Sequence, residues 1–283
     1  MQRSVVVTGV STGIGHATAT LLAGRGYRVF GSVRKPQDGD RLRQALGTAF
    51  EPLLFDVTDE AAVAAAAQTV RGALAGQTLA GLVNNAGIAV AGPLTHLPVA
   101  EFRKQLEVNL VGPMIVTQAF LPLLGTDPSL QGPKGRIVNI SSVGGKIAAP
   151  FLGPYVTSKF GLEGFSESLR RELMHYGIDV VMVAPGHVAT PIWDKAEQMD
   201  IRPYEKLSIA PAMRRFSAAF IADGKKGYPP ERIAAAILEG LTAAKPKTRY
   251  PVVIGHLMNW TLPRLLPARA VDGVLAKRFG IRP

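Results

Sequence analysis

The chain of 283 residues contains no cysteine. Disulfides, thiolate metal sites and cysteine nucleophiles are therefore excluded, which is compatible with a reducing compartment. Aromatic residues make up 7% and charged residues 19%, against 47% hydrophobic. That balance describes a globular chain with volume for a large core and excludes a disordered one. Long apolar runs are missing too. The apolar stretch 110–125 is shorter than a membrane span and is broken by Pro113, Gln118 and Pro122. No basic-then-apolar leader precedes Ser4-Val5-Val6-Val7, so the expectation is a cytoplasmic protein without a signal peptide. His16, His96, His175, His187 and His256 are too widely spaced for a ligand pattern, and no metal site is expected.

Acidic residues are scarce in one region. Residues 1–200 hold 17 basic and 16 acidic side chains, whereas residues 201–283 hold 15 and 5. The net charge of +11 thus divides into +1 for the body and +10 for the C-terminal third. A chain basic throughout, histone-like or ribosomal, is excluded. The basic end still suits an anionic membrane or an acidic partner, while the lack of a nucleic-acid motif argues against nucleic acid.

What is present is an alternation. Short apolar runs at 4–8, 28–33, 51–55, 81–84, 136–141, 179–184 and 250–254 read as strands, mostly buried on both faces. Helical patterns lie between them at 14–24, 41–46, 60–74, 101–124, 155–176 and 231–243. This predicts a single α/β domain: a doubly wound parallel sheet of about seven strands with helices on both faces. Residues 125–135 are rich in turn formers and read as a surface loop. There is no internal repeat.

Between the first strand and first helix lies Thr8-Gly9-Val10-Ser11-Thr12-Gly13-Ile14-Gly15. A glycine turn there lets backbone N–H groups approach a pyrophosphate, and the helix N-terminus adds partial positive charge. The spacing is G-x-x-x-G-x-G, not the G-x-G-x-x-G of the commoner dinucleotide fold. Glycines alone also fit a plain tight turn; the strand before and helix after favour a nucleotide. The second strand ends Val33-Arg34-Lys35. A carboxylate there would hold the adenosine ribose hydroxyls. Here no acid stands at that strand end to repel a 2′-phosphate, and Arg34 is suited to pair with one, which favours NADP(H) over NAD(H); the alternative is a solvated basic pair. Asp56 and Val57, after the third strand, are placed to approach the adenine, and a helix-capping role for Thr58 or Asp59 is equally compatible.

Tyr155 and Lys159 are four residues apart and share one helix face. A fixed ammonium beside a phenol stabilises the phenolate and lowers the tyrosine pKa. Such a phenol gives or takes a proton near neutral pH, as reversible carbonyl reduction requires. Ser142 ends the fifth strand, thirteen residues before Tyr155. In an α/β sheet both belong to the carboxyl edge, where ligands bind. On its own the pair also fits an ordinary helix surface.

Together these residues resemble the classical short-chain dehydrogenase/reductase family over roughly residues 3–255, and most closely its retinol and 17β-hydroxysteroid dehydrogenase-like branch. The turn 8–15, Asn84-Asn85-Ala86-Gly87 after the fourth strand, Asn109 on a helix, Ser142, the Tyr155/Lys159 pair and Pro185-Gly186 follow in the family's order. Ser141 is one residue off the family's spacing, which favours Ser142. The resemblance implies a Rossmann-type fold and a hydride-transferring oxidoreductase. Tyr155 would be the acid/base; Lys159 would hold the nicotinamide ribose; Ser142 would orient the carbonyl. Asn109 would support a water relay. The cofactor would lie on Gly9, Ser11, Thr12, Gly13, Ile14, Gly15, Arg34, Asp56, Val57, Asn85, Ala86, Gly87, Tyr155, Lys159, Pro185, Gly186, Val188 and Thr190. Thr12 departs from the basic residue that many NADP(H) members carry. The resemblance further implies a lipophilic alcohol or carbonyl substrate and a homodimer or homotetramer.

In the same frame, residues 1–255 form the nucleotide-binding catalytic body, with 188–228 as its substrate loop. Ile192, Trp193, Met199, Ile201, Leu207, Ile209, Met213, Phe216 and Phe220 suit either a lipophilic pocket or ordinary helix packing. Residues 256–283 form a basic amphipathic helical extension, with Leu266, Ala270, Val271, Val274 and Leu275 among Arg269, Lys277, Arg278 and Arg282. It suits packing on its own domain, a second subunit, or a peripheral membrane contact. The competing function is a dinucleotide-binding scaffold or redox-sensing regulator without turnover, against which the complete Ser142, Tyr155 and Lys159 set argues.

Overall fold

The computed structural model describes residues 2–197 and 201–281. Met199 and Arg282, expected in the substrate segment and the basic tail, lie outside the described residues. The first half of the chain runs β1 Ser4–Val7, α1 Gly13–Gly24, β2 Arg28–Val33, α2 Pro36–Leu46, β3 Phe50–Leu54, α3 Glu60–Leu74, β4 Gly81–Asn84, α4 Val99–Leu106 and α5 Gly112–Phe120. The second half continues β5 Arg136–Ile140, α6 Gly153–Leu173, β6 Asp179–Pro185, α7 Ile192–Glu197, α8 Ala210–Lys225, α9 Pro230–Thr242, β7 Arg249–Val252, α10 Leu262–Leu265 and α11 Ala268–Phe279.

The seven strands form one sheet in the order β3-β2-β1-β4-β5-β6-β7, and every pairing is parallel. The chain starts at the centre, winds outward to β3, then returns to β4 and winds the other way. That reversal opens a crevice at the carboxyl ends of β1 and β4, where open α/β sheets bind ligands. Alternation along the strands explains their unbroken apolar character. In β1, Val5 and Val7 pack toward α1 and α9, whereas Val6 packs toward α3 and α5. Each face thus buries its own cluster, Leu22, Ile233 and Ile237 on one side and Val70, Val116 and Phe120 on the other.

Three segments differ from the sequence expectation. The helix expected over 101–124 is interrupted by a π-helical turn at Glu107–Val111 between α4 and α5. The cause is Pro113, which has no N–H for the Asn109 carbonyl four residues back and whose ring crowds it. The run Val99–Leu124 is long enough for a membrane span, and an 18-residue window within it reaches a mean hydropathy of 1.3. It nonetheless packs on the sheet, with Val116, Phe120 and Leu124 fully buried. Residues 188–228, expected as a substrate loop or as ordinary helix packing, are substantially helical, because Met213, Phe216 and Phe220 recur at helical spacing and bury one face of α8. In the tail, Pro267 breaks the single expected helix, since it cannot continue the hydrogen-bond ladder of α10 and instead starts α11.

Candidate active site

The turn after β1 is built for close backbone approach. Gly9 and Gly13 adopt φ of +69° and +60°, a conformation that favours glycine. A Cβ on Gly9 would stand 2.9 Å from the Ala86 Cα, and one on Gly15 would overlap the Gly9 carbonyl oxygen. The N-cap of α1, Thr12, makes no side-chain capping bond, and the first turn of α1 carries no acid. The first turn thus sets no carboxylate of its own beside these N–H groups, which suits an anion site. The residues fit a dinucleotide pyrophosphate.

Ser32, which the sequence reading missed, holds this turn together with Thr8 and Asn85. The Gly9 N–H donates to Ser32 Oγ at 2.9 Å, tying the turn to β2. Thr8 Oγ1 accepts from both Asn85 N and Ala86 N at 2.9 Å. Asn85 Nδ2 donates to the carbonyls of Thr8 and Gly9 at 2.8 and 3.1 Å. The segment after β4 is thereby clamped onto the glycine turn. The available signal was a polar side chain, Ser32, inside an apolar strand.

At the end of β2, Arg34 is 72% exposed. Its Nη1 lies 3.8 Å from Asp56 Oδ2, so an acid does stand beside the cation expected to be free of one. Asp56 is itself turned by Thr58, whose N and Oγ1 donate to Oδ1 at 3.1 and 2.9 Å. Asp59, not Thr58, caps α3 by accepting from Ala62 N at 3.0 Å. Val57 is buried against Gly112. Arg41 from α2 donates to the Ser11 carbonyl at 2.8 Å, placing a second cation at the turn.

Asn109 sits in the π-turn and is 1% exposed. Its Oδ1 accepts from Ile88 N at 2.9 Å, and its Nδ2 donates to Ile88 O at 3.0 Å and Ser158 Oγ at 3.2 Å. Gln105, a second missed residue type, does the same one turn earlier: it accepts from Val90 N at 2.6 Å and donates to Ile88 O at 3.0 Å. Both amides therefore hold the chain beyond Gly87, and Asn109 Nδ2 also ties the π-turn to Ser158 of α6.

Ser142, Tyr155 and Lys159 come together at the carboxyl edge of β5. Ser142 is half-buried and accepts from Gly144 N at 3.0 Å, whereas Ser141 is buried and donates to Glu163 Oε1 at 2.6 Å. Ser142, not Ser141, thus faces the phenol. Lys159 is buried, lies 5.8 Å from the centre of the Tyr155 ring, and donates to the Ile140 carbonyl at 2.8 Å. Burial pushes its pKa down to about 8, while the Glu163 charge opposes the shift. Tyr155 departs from expectation: desolvation raises its pKa above the ordinary value, and the Ser142 hydroxyl pulls the other way. The surrounding protein atoms thus outweigh stabilisation of the phenolate.

Beyond β6, Gly186 N donates to Val252 O at 3.0 Å, which aligns Pro185-Gly186 with β7. Buried Val188 bridges to Tyr228, and its carbonyl accepts from Trp193 Nε1 at 2.6 Å. Thr190 comes within 3.4 Å of a Cβ placed on Gly13, so this loop returns to the glycine turn. The apolar side chains of 188–228 divide. Met213 and Phe216 are buried in a cluster with Phe151, Leu152, Val156 and Tyr155, whereas Ile192 is exposed. Phe151, in the same cluster, holds φ of +62° and accepts from Gly92 N at 2.8 Å through its carbonyl. Strained backbone of this kind gathers at functional sites. Among the described residues no cluster of metal ligands is found.

Comparison with known proteins follows the same lines. The family model described as short chain dehydrogenase matches residues 3–201. The NADPH-dependent 3-dehydrocapnine reductase of Ornithobacterium rhinotracheale is 38% identical over 275 residues, which cover 97% of this chain and 96% of that protein. Retinol dehydrogenase 5 of Homo sapiens is 36% identical over 283 residues, covering 96% and 87%. Among solved structures, a short-chain dehydrogenase from Streptomyces avermitilis superposes with a TM-score of 0.76 at 26% identity, covering 98% of this chain and 94% of that one.

Proposed function

The chain belongs to the short chain dehydrogenase family of oxidoreductases, and on that premise we propose that it is NADP(H)-dependent and interconverts a lipophilic secondary alcohol and its ketone, with Tyr155 as general acid/base. The observation that carries this reading is the meeting of Ser142 and buried Lys159 at one half-buried phenol, at the sheet edge that also holds the glycine turn. When bound, the nicotinamide supplies or accepts the hydride. The turn 9–15 holds the pyrophosphate through backbone N–H groups, and Arg34 pairs with a 2′-phosphate. Tyr155 donates its proton to the carbonyl oxygen in reduction and takes it from the hydroxyl in oxidation. Ser142 orients that oxygen. The Lys159 ammonium stabilises the phenolate left behind and returns a proton. Asn109 and Gln105 keep the 88–90 segment in place around the site, and the relay role of Asn109 belongs to the same proposal.

The apolar cluster of Phe151, Met213 and Phe216 around Tyr155 supports a lipophilic substrate, as do relatives named for retinol and 3-dehydrocapnine. Tyr155→Phe removes the proton donor without altering the turn. It is expected to lower ketone-dependent NADPH oxidation by at least ~10²-fold while NADPH binding survives. Retained turnover in this variant refutes the mechanism. A wild-type chain that binds NADPH but turns over none of a panel of alcohols and ketones would instead be a nucleotide-binding scaffold.

For partners, the exposed Leu257, Met258 and Leu265 lie at helical spacing on the C-terminal segment, which supports the expected self-association. Sedimentation velocity of the wild type and Leu265→Glu tests it. A monomeric mass for both refutes self-association, and sedimentation of the wild type with anionic vesicles assigns the row to a membrane.

A further inference from the structure

Among the described residues, Glu163 is the one carboxylate that is fully buried, at 1% exposure, and the proposed reaction leaves it unused. It lies one turn beyond Lys159 on α6, so Tyr155, Lys159 and Glu163 follow one another along a single face. Its Oε1 accepts from Ser141, the immediate neighbour of Ser142, at 2.6 Å. Its Oε2 accepts from Arg249 through Nε at 3.0 Å and through Nη2, and lies 3.7 Å from Lys146 Nζ. Arg249 opens β7, and Lys146 follows the Val143–Gly145 turn. That turn sits directly on the carboxylate, since a Cβ on Gly145 would stand 2.9 Å from Glu163 Cγ. One side chain therefore touches the end of β5, the turn after Ser142, β7 and the helix that carries Tyr155.

We infer that Glu163 is a positioning residue of this site: its carboxylate locks the strand end bearing Ser142 to the helix face bearing Tyr155 and Lys159, and supplies the buried anion that keeps Lys159 an ammonium. The inference rests on the oxidoreductase reading. The charges around it fix its direction. Glu163 is faced by Lys159 and Glu167 from its own helix, Lys146 from the turn, Arg249 from β7 and neutral Ser141 from β5. Glu167 pairs in turn with Arg249, Arg171 and Lys146 at 3.4, 3.5 and 4.0 Å. Lys159 is faced by Tyr155, Glu163 and the Ile140 carbonyl. Burial already lowers Lys159 to about 8, and Glu163 opposes that. Without the Glu163 charge, the cost of burying the Lys159 ammonium is no longer opposed. Its proton then leaves at lower pH, and the phenolate loses its cation within the working range.

Heteronuclear NMR on lysine-labelled full-length protein reads the Lys159 titration directly, with the signal assigned by its loss in Lys159→Met. The wild type is expected to titrate near about 8. Glu163→Gln is expected to titrate about one unit lower, as removal of a nearby opposite charge requires. Arg249→Met, which leaves the Glu163 charge less compensated by its own partner, is expected to titrate higher. The alkaline limb of the kcat/KM profile should move with the titration, and Glu163→Asp should restore it toward the wild-type position. An unmoved Lys159 midpoint in a Glu163→Gln protein that keeps its circular dichroism spectrum overturns the inference. If Glu163→Gln does not fold, a wild-type midpoint in Arg249→Met overturns it. The titration does not depend on turnover, so an inactive wild type would refute the oxidoreductase reading alone.

Discussion

Ser141 and Ser142 are chain neighbours at the end of β5, and alternation sends their hydroxyls in opposite directions. One is buried against Glu163; the other reaches the phenol. Arg34 shows a similar dependence on its surroundings. Its exposure means that the contact with Asp56 is screened and weak, which leaves the guanidinium open to a more highly charged partner. A charge-assisted hydrogen bond to a phosphate is worth about 1.5–3 kcal/mol. Arg34→Ala is therefore expected to raise the NADPH dissociation constant at least ~10-fold and to leave that of NADH nearly unchanged, as fluorescence titration with both would show. Equal changes would mean that the basic pair is only surface charge. Asp56→Asn should act in the opposite sense, tightening NADPH.

Elements decide what single residues are able to do. The glycine turn works because its backbone passes where side chains have no room. Gly15→Ala drives a methyl into the Gly9 carbonyl oxygen, and overpacking of this kind costs about 1–3 kcal/mol. Weaker dinucleotide binding and a lower melting temperature are expected together. Gly24→Ala, on the same helix with open space around it, is expected to change stability by no more than about 1 kcal/mol, in the stabilising direction. A melting temperature as low as that of Gly15→Ala would show that loss of glycine, not the clash, is responsible. The break at Pro113 belongs to this scale as well. It converts a continuous apolar helix into two, and the turn between them presents Asn109 to Ile88 beside Gln105 from the end of α4.

At the scale of the whole molecule, the excess positive charge after residue 200 is partly engaged within the chain. Arg278 pairs with Asp223 at 2.8 Å, Arg264 lies 4.5 Å from the centre of the Trp260 ring, and Arg215 donates to the Phe279 carbonyl at 3.0 Å. The C-terminal extension is thus docked on α8 rather than appended. Phe279 packs edge-on against Phe216 at 5.1 Å, in the cluster that reaches Tyr155. Phe279→Ala is expected to cost about 3 kcal/mol and to lower the melting temperature accordingly. Leu265→Glu, at a position 75% exposed, should alter folding stability by less than about 0.5 kcal/mol. Comparable losses in the two melts would mean that the extension is held by α10 rather than by Phe279.

The parallel sheet, the glycine turn and the Tyr155/Lys159 pair were legible in the sequence, because each rests on a local repeat: apolar runs of strand length, glycines at a strand–helix junction, and a four-residue step along a helix. The helices within 188–228 were hidden by the shortness of α7 and by the proline at the start of α8. Which serine faces the phenol, which acid stands beside Arg34, and what surrounds Lys159 depended on segments distant in the chain. Arg249 and Glu163 are 86 residues apart, and Asn85 and Thr8 are 77 apart. Local spacing carries no record of such meetings. Only the closing of the sheet brings these groups within hydrogen-bond reach, and only then does burial set the charge that each one holds.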